Sequence, residues 1–155
     1  QQAFKAMVLV VNKWDLAEKT ANRDEYAAHI QQRLKFMPGT PVLFTSASLK
    51  QGMEQVIATT RELYQERNKR VPTAVLNGVI RQAVAVHSPP SVKGRKLKVL
   101  YVTQAEKSPP TFVFFVNSPT LMHFSYQRYL ENTLRNVFGF RGTPLRLIFK
   151  GRSEE

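Results

Sequence analysis

Residues 6–11 (AMVLVV) form a short unbroken apolar run, the pattern of a strand covered on both faces. The polar stretch NKWDLAEKTANRD follows. Over residues 24–36 the spacing of Tyr26, Ile30 and Leu34, with Met37 beyond, predicts a helix that Pro38-Gly39 terminates. Pro41 to Thr45 (PVLFT) reads as a second short strand. After SASLKQG the spacing predicts a helix from Met53 to Arg67, with Met53, Val56, Ile57, Thr60, Leu63 and Tyr64 as its inward stripe. Strand–helix–strand–helix is the repeat of a parallel α/β sheet.

The charged stretch RNKRVP (residues 67–72) reads as a boundary, with one domain over residues 1–69 and a second over 70–155. Beyond it, Thr73 is expected to cap a helix to Val86, with Val75, Leu76, Val79, Ile80 and Ala83 inward. Residues 91–96 (SVKGRK) read as a basic loop. Leu97–Gln104 and Thr111–Val116 read as antiparallel neighbours. Ser125 is expected to cap a helix to Phe138 with Gly139 as a left-handed C-cap, and Pro144–Phe149 forms the last strand. The second domain is therefore α-β-β-α-β.

Charge separates the halves. Residues 1–69 carry 10 Lys and Arg against 7 Asp and Glu, and residues 70–155 carry 13 against 4, within a total of +12. A basic second half attracts polyanions, with RNA or an anionic membrane the usual choices and RNA favoured because membrane binders usually also show a strong amphipathic anchor. Cysteine is absent, which excludes disulfides and thiolate metal sites. The longest apolar run near the start, Met7 to Val11, is too short for a membrane span and lacks a cleavage-site pattern. His29, His87 and His123 are scattered and suggest no metal cluster.

Candidate chemistry begins at Asn12-Lys13-Trp14-Asp15, directly after the first strand. Open parallel sheets bind ligands beyond the carboxyl ends of their strands. The tetrapeptide resembles the N-K-x-D guanine-recognition motif of GTPases. Guanine presents a ring N1–H beside an exocyclic amino group, and one carboxylate, Asp15, can accept from both. Adenine offers no such pair and leaves the carboxylate unsatisfied. Lys13 would lay its stem along the base, and Asn12 would tie the loop to its neighbours. Thr45-Ser46-Ala47-Ser48 ends the second strand and resembles the second base-contacting motif, in which a small residue lets a backbone N–H reach the guanine carbonyl oxygen. The competing interpretation is an ordinary polar turn. No G-x-x-x-x-G-K-[ST] loop and no D-x-x-G occurs, so nothing here cradles the outer phosphates, holds Mg²⁺ or positions a water. Alone, the chain is expected not to hydrolyse GTP.

Several further segments sharpen the resemblance: NKWDL, TSA, the Gly52–Val56 helix start, VLN (Val75 to Asn77), KGRKLKVLYVTQ (Lys93 to Gln104), PPTFVFFVNSP (Pro109 to Pro119), SYQRYLEN (Ser125 to Asn132) and FGFRGTPLRLIFKGR (Phe138 to Arg152). Together they resemble the Der (EngA) tandem-GTPase family. The resemblance implies the end of a second G domain, a partial P-loop GTPase-type parallel sheet, followed by an α+β KH-like domain. It implies GTP or GDP as ligand, with Mg²⁺ bound by parts of a full-length protein. It also implies a cytoplasmic role in assembling the large (50S) ribosomal subunit, with ribosomal RNA and the protein's own G domains as partners. Asn12, Lys13, Trp14, Asp15, Ser46 and Ala47 carry over as guanine-site residues.

Candidate RNA contacts are Lys93, Arg95, Lys96, Lys98, Arg141, Arg146, Lys150 and Arg152. Gly139-Phe140-Arg141-Gly142 has the G-x-x-G spacing of a KH backbone clamp but follows a helix and precedes a strand, as a helix cap and turn do. Phe112, Phe114 and Phe115 are candidate base-stacking residues, with core positions the favoured reading. Three functions remain open: part of a GTPase, a KH-like RNA- or protein-binding module without nucleotide activity, or an α/β domain with a chance NKWD.

Overall fold

The computed structural model describes residues 4–34, 37–92 and 94–151. The backbone groups into two units. One runs to Arg67 and takes in Phe140–Pro144; the other comprises Asn68–Gly139 and Leu145 onward.

In the first unit, β1 (Leu9–Val11) pairs in parallel with β2 (Val42–Phe44), Val10 opposite Leu43. The ladder extends past both ends: the Leu9 N–H donates to the Pro41 carbonyl at 2.9 Å, and the Thr45 N–H to that of Val11 at 2.9 Å. The crossover between them carries α1 (Arg23–Arg33), capped by the Asn22 side chain, which accepts from the Asp24 and Glu25 N–H groups. Helix α2 (Met53–Asn68) follows β2. The predicted inward stripes are not covered. Helix α1 buries no residue, and Tyr26 is exposed. On α2 only Leu63 is buried, while Met53, Ile57, Thr60 and Tyr64 are exposed. Periodicity identifies the apolar face of a helix; burying it needs a second layer, and two strands do not supply one.

The segment Phe140–Pro144 completes this unit. Phe140 is fully buried, its N–H donates to the Glu66 carboxylate at 2.6 Å, and the Gly142 carbonyl accepts from the Met7 N–H at 3.1 Å. At Gly142 a Cβ would lie 2.9 Å from a Leu63 methyl carbon and 3.0 Å from Pro41 Cδ. Phe140 and Gly142 of the G-x-x-G-spaced segment thus meet Glu66 and Leu63 of α2, and Met7 and Pro41 just before β1 and β2.

The second unit holds α3 (Thr73–Val86), the hairpin β3 (Ser91–Val92) and β4 (Arg95–Lys96), β5 (Val99–Glu106), β6 (Thr111–Val116), α4 (Phe124–Phe138) and β7 (Arg146–Gly151). The region read as a basic loop therefore contains a two-residue antiparallel pair. Neither helix is capped where expected. Pro72 precedes α3, whose first residue is Thr73, and the His123 ring accepts from the Ser125 N–H at the start of α4. Gly139 ends α4 at φ 89°, ψ −103°, a positive φ outside the left-handed helical region.

Strands β5 and β6 are antiparallel, β6 and β7 parallel, in the order β5-β6-β7. Leu76, Ile80 and Ala83 of α3, and Tyr126, Leu130 and Leu134 of α4, are buried with Val102, Phe112, Phe114 and Val116 from one face of the sheet. Each such side chain contributes about 1.5–3 kcal/mol of apolar transfer. Val75, expected inward, is exposed, as is Val137 of α4. The edge of β5 is satisfied by α3: Asn77 Nδ2 donates to the Val102 carbonyl at 2.8 Å, and its Oδ1 accepts from the Val102 N–H at 2.9 Å. Buried Gln104 accepts from the Val71 N–H and donates to the Lys69 carbonyl, both at 2.8 Å.

Candidate functional site

The loops after β1 and β2 lie side by side because their strands are parallel and adjacent. Asn12 joins them: its Oδ1 accepts from Thr45 Oγ1 and from the Ala47 N–H, each at 3.2 Å. The Trp14 N–H donates to the Thr45 carbonyl at 3.0 Å. Lys13 sits at φ 60°, ψ 34°, a left-handed conformation that turns the chain into a single 3₁₀ turn over Trp14–Leu16. Such a conformation costs a non-glycine residue about 1–2 kcal/mol and persists where its surroundings enforce it.

Trp14 supplies much of that enforcement. It is buried, its ring edge-on to Phe44 at 4.4 Å and to Tyr26 at 5.7 Å. The Arg23 guanidinium lies 5.9 Å from the ring centroid and is held by Glu18 at 2.6 Å. Of the four residues in the tetrapeptide, Trp14 thus faces inward and anchors the loop.

Asp15 follows within the same turn. Its Oδ1 is buried and has no hydrogen-bond partner among the described residues. A buried carboxylate oxygen without a donor costs several kcal/mol unless a ligand supplies one. Guanine's adjacent N–H groups are donors of the required kind.

On the second loop, Ser46 is buried and its backbone pairs with Gln51 in both directions, at 3.1 and 2.9 Å. This closes a tight turn through Lys50 at φ 57° and Gly52 at φ 76°. Ala47 is exposed, but the N–H that the sequence offers to a carbonyl oxygen is engaged by Asn12. A cavity of about 290 Å³ is lined by Trp14, Glu18, Arg23, Phe44, Thr45, Ser46, Gln51, Gly52 and Gln55, yet by none of Asn12, Lys13, Asp15 or Ala47. Among the described residues no group of three or more acidic or histidine side chains could hold a metal ion.

The basic residues fall into separate places. Arg95 and Lys96 are exposed on β4, and Lys98 is exposed just before β5. Asn117 fixes this segment, accepting from the Lys98 N–H at 2.8 Å and donating to the Lys96 carbonyl at 3.0 Å. Arg146 and Lys150 are exposed on β7. Arg141 is exposed in the first unit. Lys93 and Arg152 lie outside the described residues. Phe112 and Phe114 are core, whereas Phe115 faces the other side of the sheet and stacks on Tyr101. Tyr101 was not singled out by sequence reasoning; its alternation with Val102 and Gln104 was the available signal.

Residues 70–150 match the family described as the KH-domain-like region of EngA bacterial GTPase enzymes, C-terminal. The chain belongs to this family. Curated proteins called GTPase Der are similar along nearly all of it. The Moorella thermoacetica protein is 52% identical over 147 residues, covering 94% of this chain and 34% of that protein. Those of Caldanaerobacter subterraneus and Halothermothrix orenii are 45% and 46% identical, covering 97% and 98% of the chain and 35% of each relative. The chain thus spans about a third of the length of the curated relatives it matches. The EngA KH-like match leaves the Asn12–Asp15 loop outside, but the similarity to the Der proteins is long enough to include it. No described helix is long and apolar enough to cross a membrane.

Proposed function

We propose that this chain is the guanine-reading end of a G domain joined to the KH-like domain of a Der-type GTPase. In this reading the whole protein binds and hydrolyses GTP in the cytoplasm during assembly of the large ribosomal subunit. The observation that carries it is the pairing of two loops by Asn12 beside an unsatisfied Asp15 oxygen.

Asp15 accepts the two adjacent N–H donors of guanine, which gives selectivity over adenine. Lys13, exposed and held left-handed, lies along the base. Asn12 and Trp14 keep the loop in place, and Ser46 and Ala47 form the opposite wall. The sequence carries neither G-x-x-x-x-G-K-[ST] nor D-x-x-G, so the part proposed for this chain is nucleotide recognition. The exposed cations Arg95, Lys96, Lys98, Arg146 and Lys150 contact ribosomal RNA, and the protein's own G domains are the second partner.

Titration of the chain with fluorescent GDP and ADP analogues tests the first part. Weak binding selective for GDP and lost in Asp15→Asn is expected; equal affinity for both nucleotides contradicts it. The second reading is a KH-like binding module without nucleotide activity, favoured by the +9 charge of residues 70–155. It predicts RNA binding that falls steeply with salt, beside no GDP binding.

A further inference from the structure

The helices α3 and α4 cover one face of the sheet β5-β6-β7. On the opposite face, register places Tyr101, Phe115 and Lys150 in one row across the three strands. Tyr101 and Phe115 are stacked, with centroids 4.2 Å apart and planes at 13°, and Tyr101 stays 49% exposed. Leu100, displaced at a register shift in β5, is exposed beside them. One step beyond the row, alternation sets Lys98, opposite Asn117, on the same face. Arg146 lies on that face two rows the other way, on the strand that carries Lys150. The acid on it, Glu106, is in the Arg146 row, at the far end from Tyr101.

We propose that this face is a platform for single-stranded RNA, with unpaired bases stacking on the Tyr101–Phe115 pair and Lys98 and Lys150 holding the flanking phosphates. The proposal rests on the RNA-contacting reading given above and adds where and in what form RNA binds. Three physical arguments select this ligand. An exposed aromatic stack accepts any base face, because every base has one. Same-face positions along a strand repeat at about 6.7 Å, a spacing that suits successive nucleotides of an extended strand. Lys98 and Lys150 lie beside the aromatic pair while Glu106 stands away from it in the Arg146 row, in a domain with 13 basic and 4 acidic residues over 70–155, so charge favours a polyanion over a protein surface. Base-paired RNA hides its base faces and offers nothing to the stack.

The test is fluorescence anisotropy of the full chain with a labelled single-stranded RNA of about twelve nucleotides, compared with the same strand annealed to its complement. The expected results are preference for the single strand, about tenfold weaker binding in Tyr101→Ala, retained binding in Tyr101→Phe, and a shallower salt dependence in Lys150→Gln. Thermal unfolding of each variant shows that the fold is intact. If Tyr101→Ala binds like the wild type while Arg95→Gln or Lys96→Gln weakens binding, RNA contact stands and this platform is overturned. If the wild type binds neither RNA at low salt, the RNA reading and the platform both fall. If Tyr101→Ala leaves RNA binding unchanged but alters association with separately made G domains, the face is a protein surface and the proposal is wrong.

Discussion

Replacing Gly52 with alanine places a methyl carbon 2.6 Å from the Phe44 carbonyl oxygen, 3.2 Å from Thr45 Cγ2 and 3.4 Å from Thr45 Cα. The nearest atom is backbone, so no side-chain rotation relieves the contact. Gly52 also sits at φ 76°, where a side chain costs about 1–2 kcal/mol. Forcing the end of β2 aside adds about 1–3 kcal/mol, by analogy with overpacked cores. The expected destabilisation of the first unit is therefore about 2–5 kcal/mol. The displaced residues lead directly into Ser46 and Ala47, so the loop joined to Asn12 moves with them. Trp14 is the single tryptophan of the chain and is buried in this unit, so its emission reports unfolding there. Gly78→Ala is the control: it lies inside α3 with nothing within 4 Å of the added carbon, and is expected to stabilise the second unit by about 0.5–1 kcal/mol. One substitution type should thus act with opposite signs at two sites. An unchanged Trp14 transition in Gly52→Ala would refute the close approach on which the loop geometry rests.

Asn12→Ala removes the two side-chain bonds that Asn12 makes between the loops, and the Ala47 amide should exchange with solvent about fivefold faster by NMR; unchanged protection would mean the Asn12 contact is not made. Phe140→Ala empties a fully buried site in the first unit and should destabilise it by about 3–5 kcal/mol, read again through Trp14 emission. Burial, and secondarily the neighbouring Tyr129, pushes the Tyr126 phenol up from 10.0 to about 12. The folded state then holds this proton more tightly than the unfolded one. Its contribution to stability is full below about pH 10 and lost as pH rises to about 12, so urea midpoints should fall across that window in the wild type and more gently in Tyr126→Phe.

The sequence made the parallel pair legible because two short apolar runs were separated by one helix-length crossover, and NKWD and TSA stood at matching strand ends. It made the sheet of the second unit legible because Phe112, Phe114 and Val116 alternate with the opposite face. What it concealed depends on tertiary context. The stripe on α2 is real as a pattern, but only Leu63 meets a covering surface. Trp14 belongs to a ligand-type motif, yet its size suits an aromatic pocket behind the loop, which no local pattern announces. The Phe140–Gly142 turn looks like a helix end in sequence, and only the fold returns it to the first unit. Caps misled for a similar reason: Thr73 and Ser125 are sound capping types, displaced by one position to Pro72 and by two to His123. The Tyr101–Phe115 row required the cross-strand register, including a bulge at Leu100 that sequence alternation does not reveal.

Asp15 carries a buried carboxylate oxygen with no hydrogen-bond partner among the described residues, and its proposed role is to accept two neighbouring N–H donors of guanine. The direct measurement is competition calorimetry of GDP against inosine diphosphate, which keeps the ring N1–H and lacks the amino group, in wild type and in Asp15→Asn. The expected result is weaker binding of the inosine nucleotide to the wild type and loss of that difference in Asp15→Asn. Equal affinity of the wild type for both nucleotides, or discrimination that survives in Asp15→Asn, would contradict the claim that Asp15 reads the base.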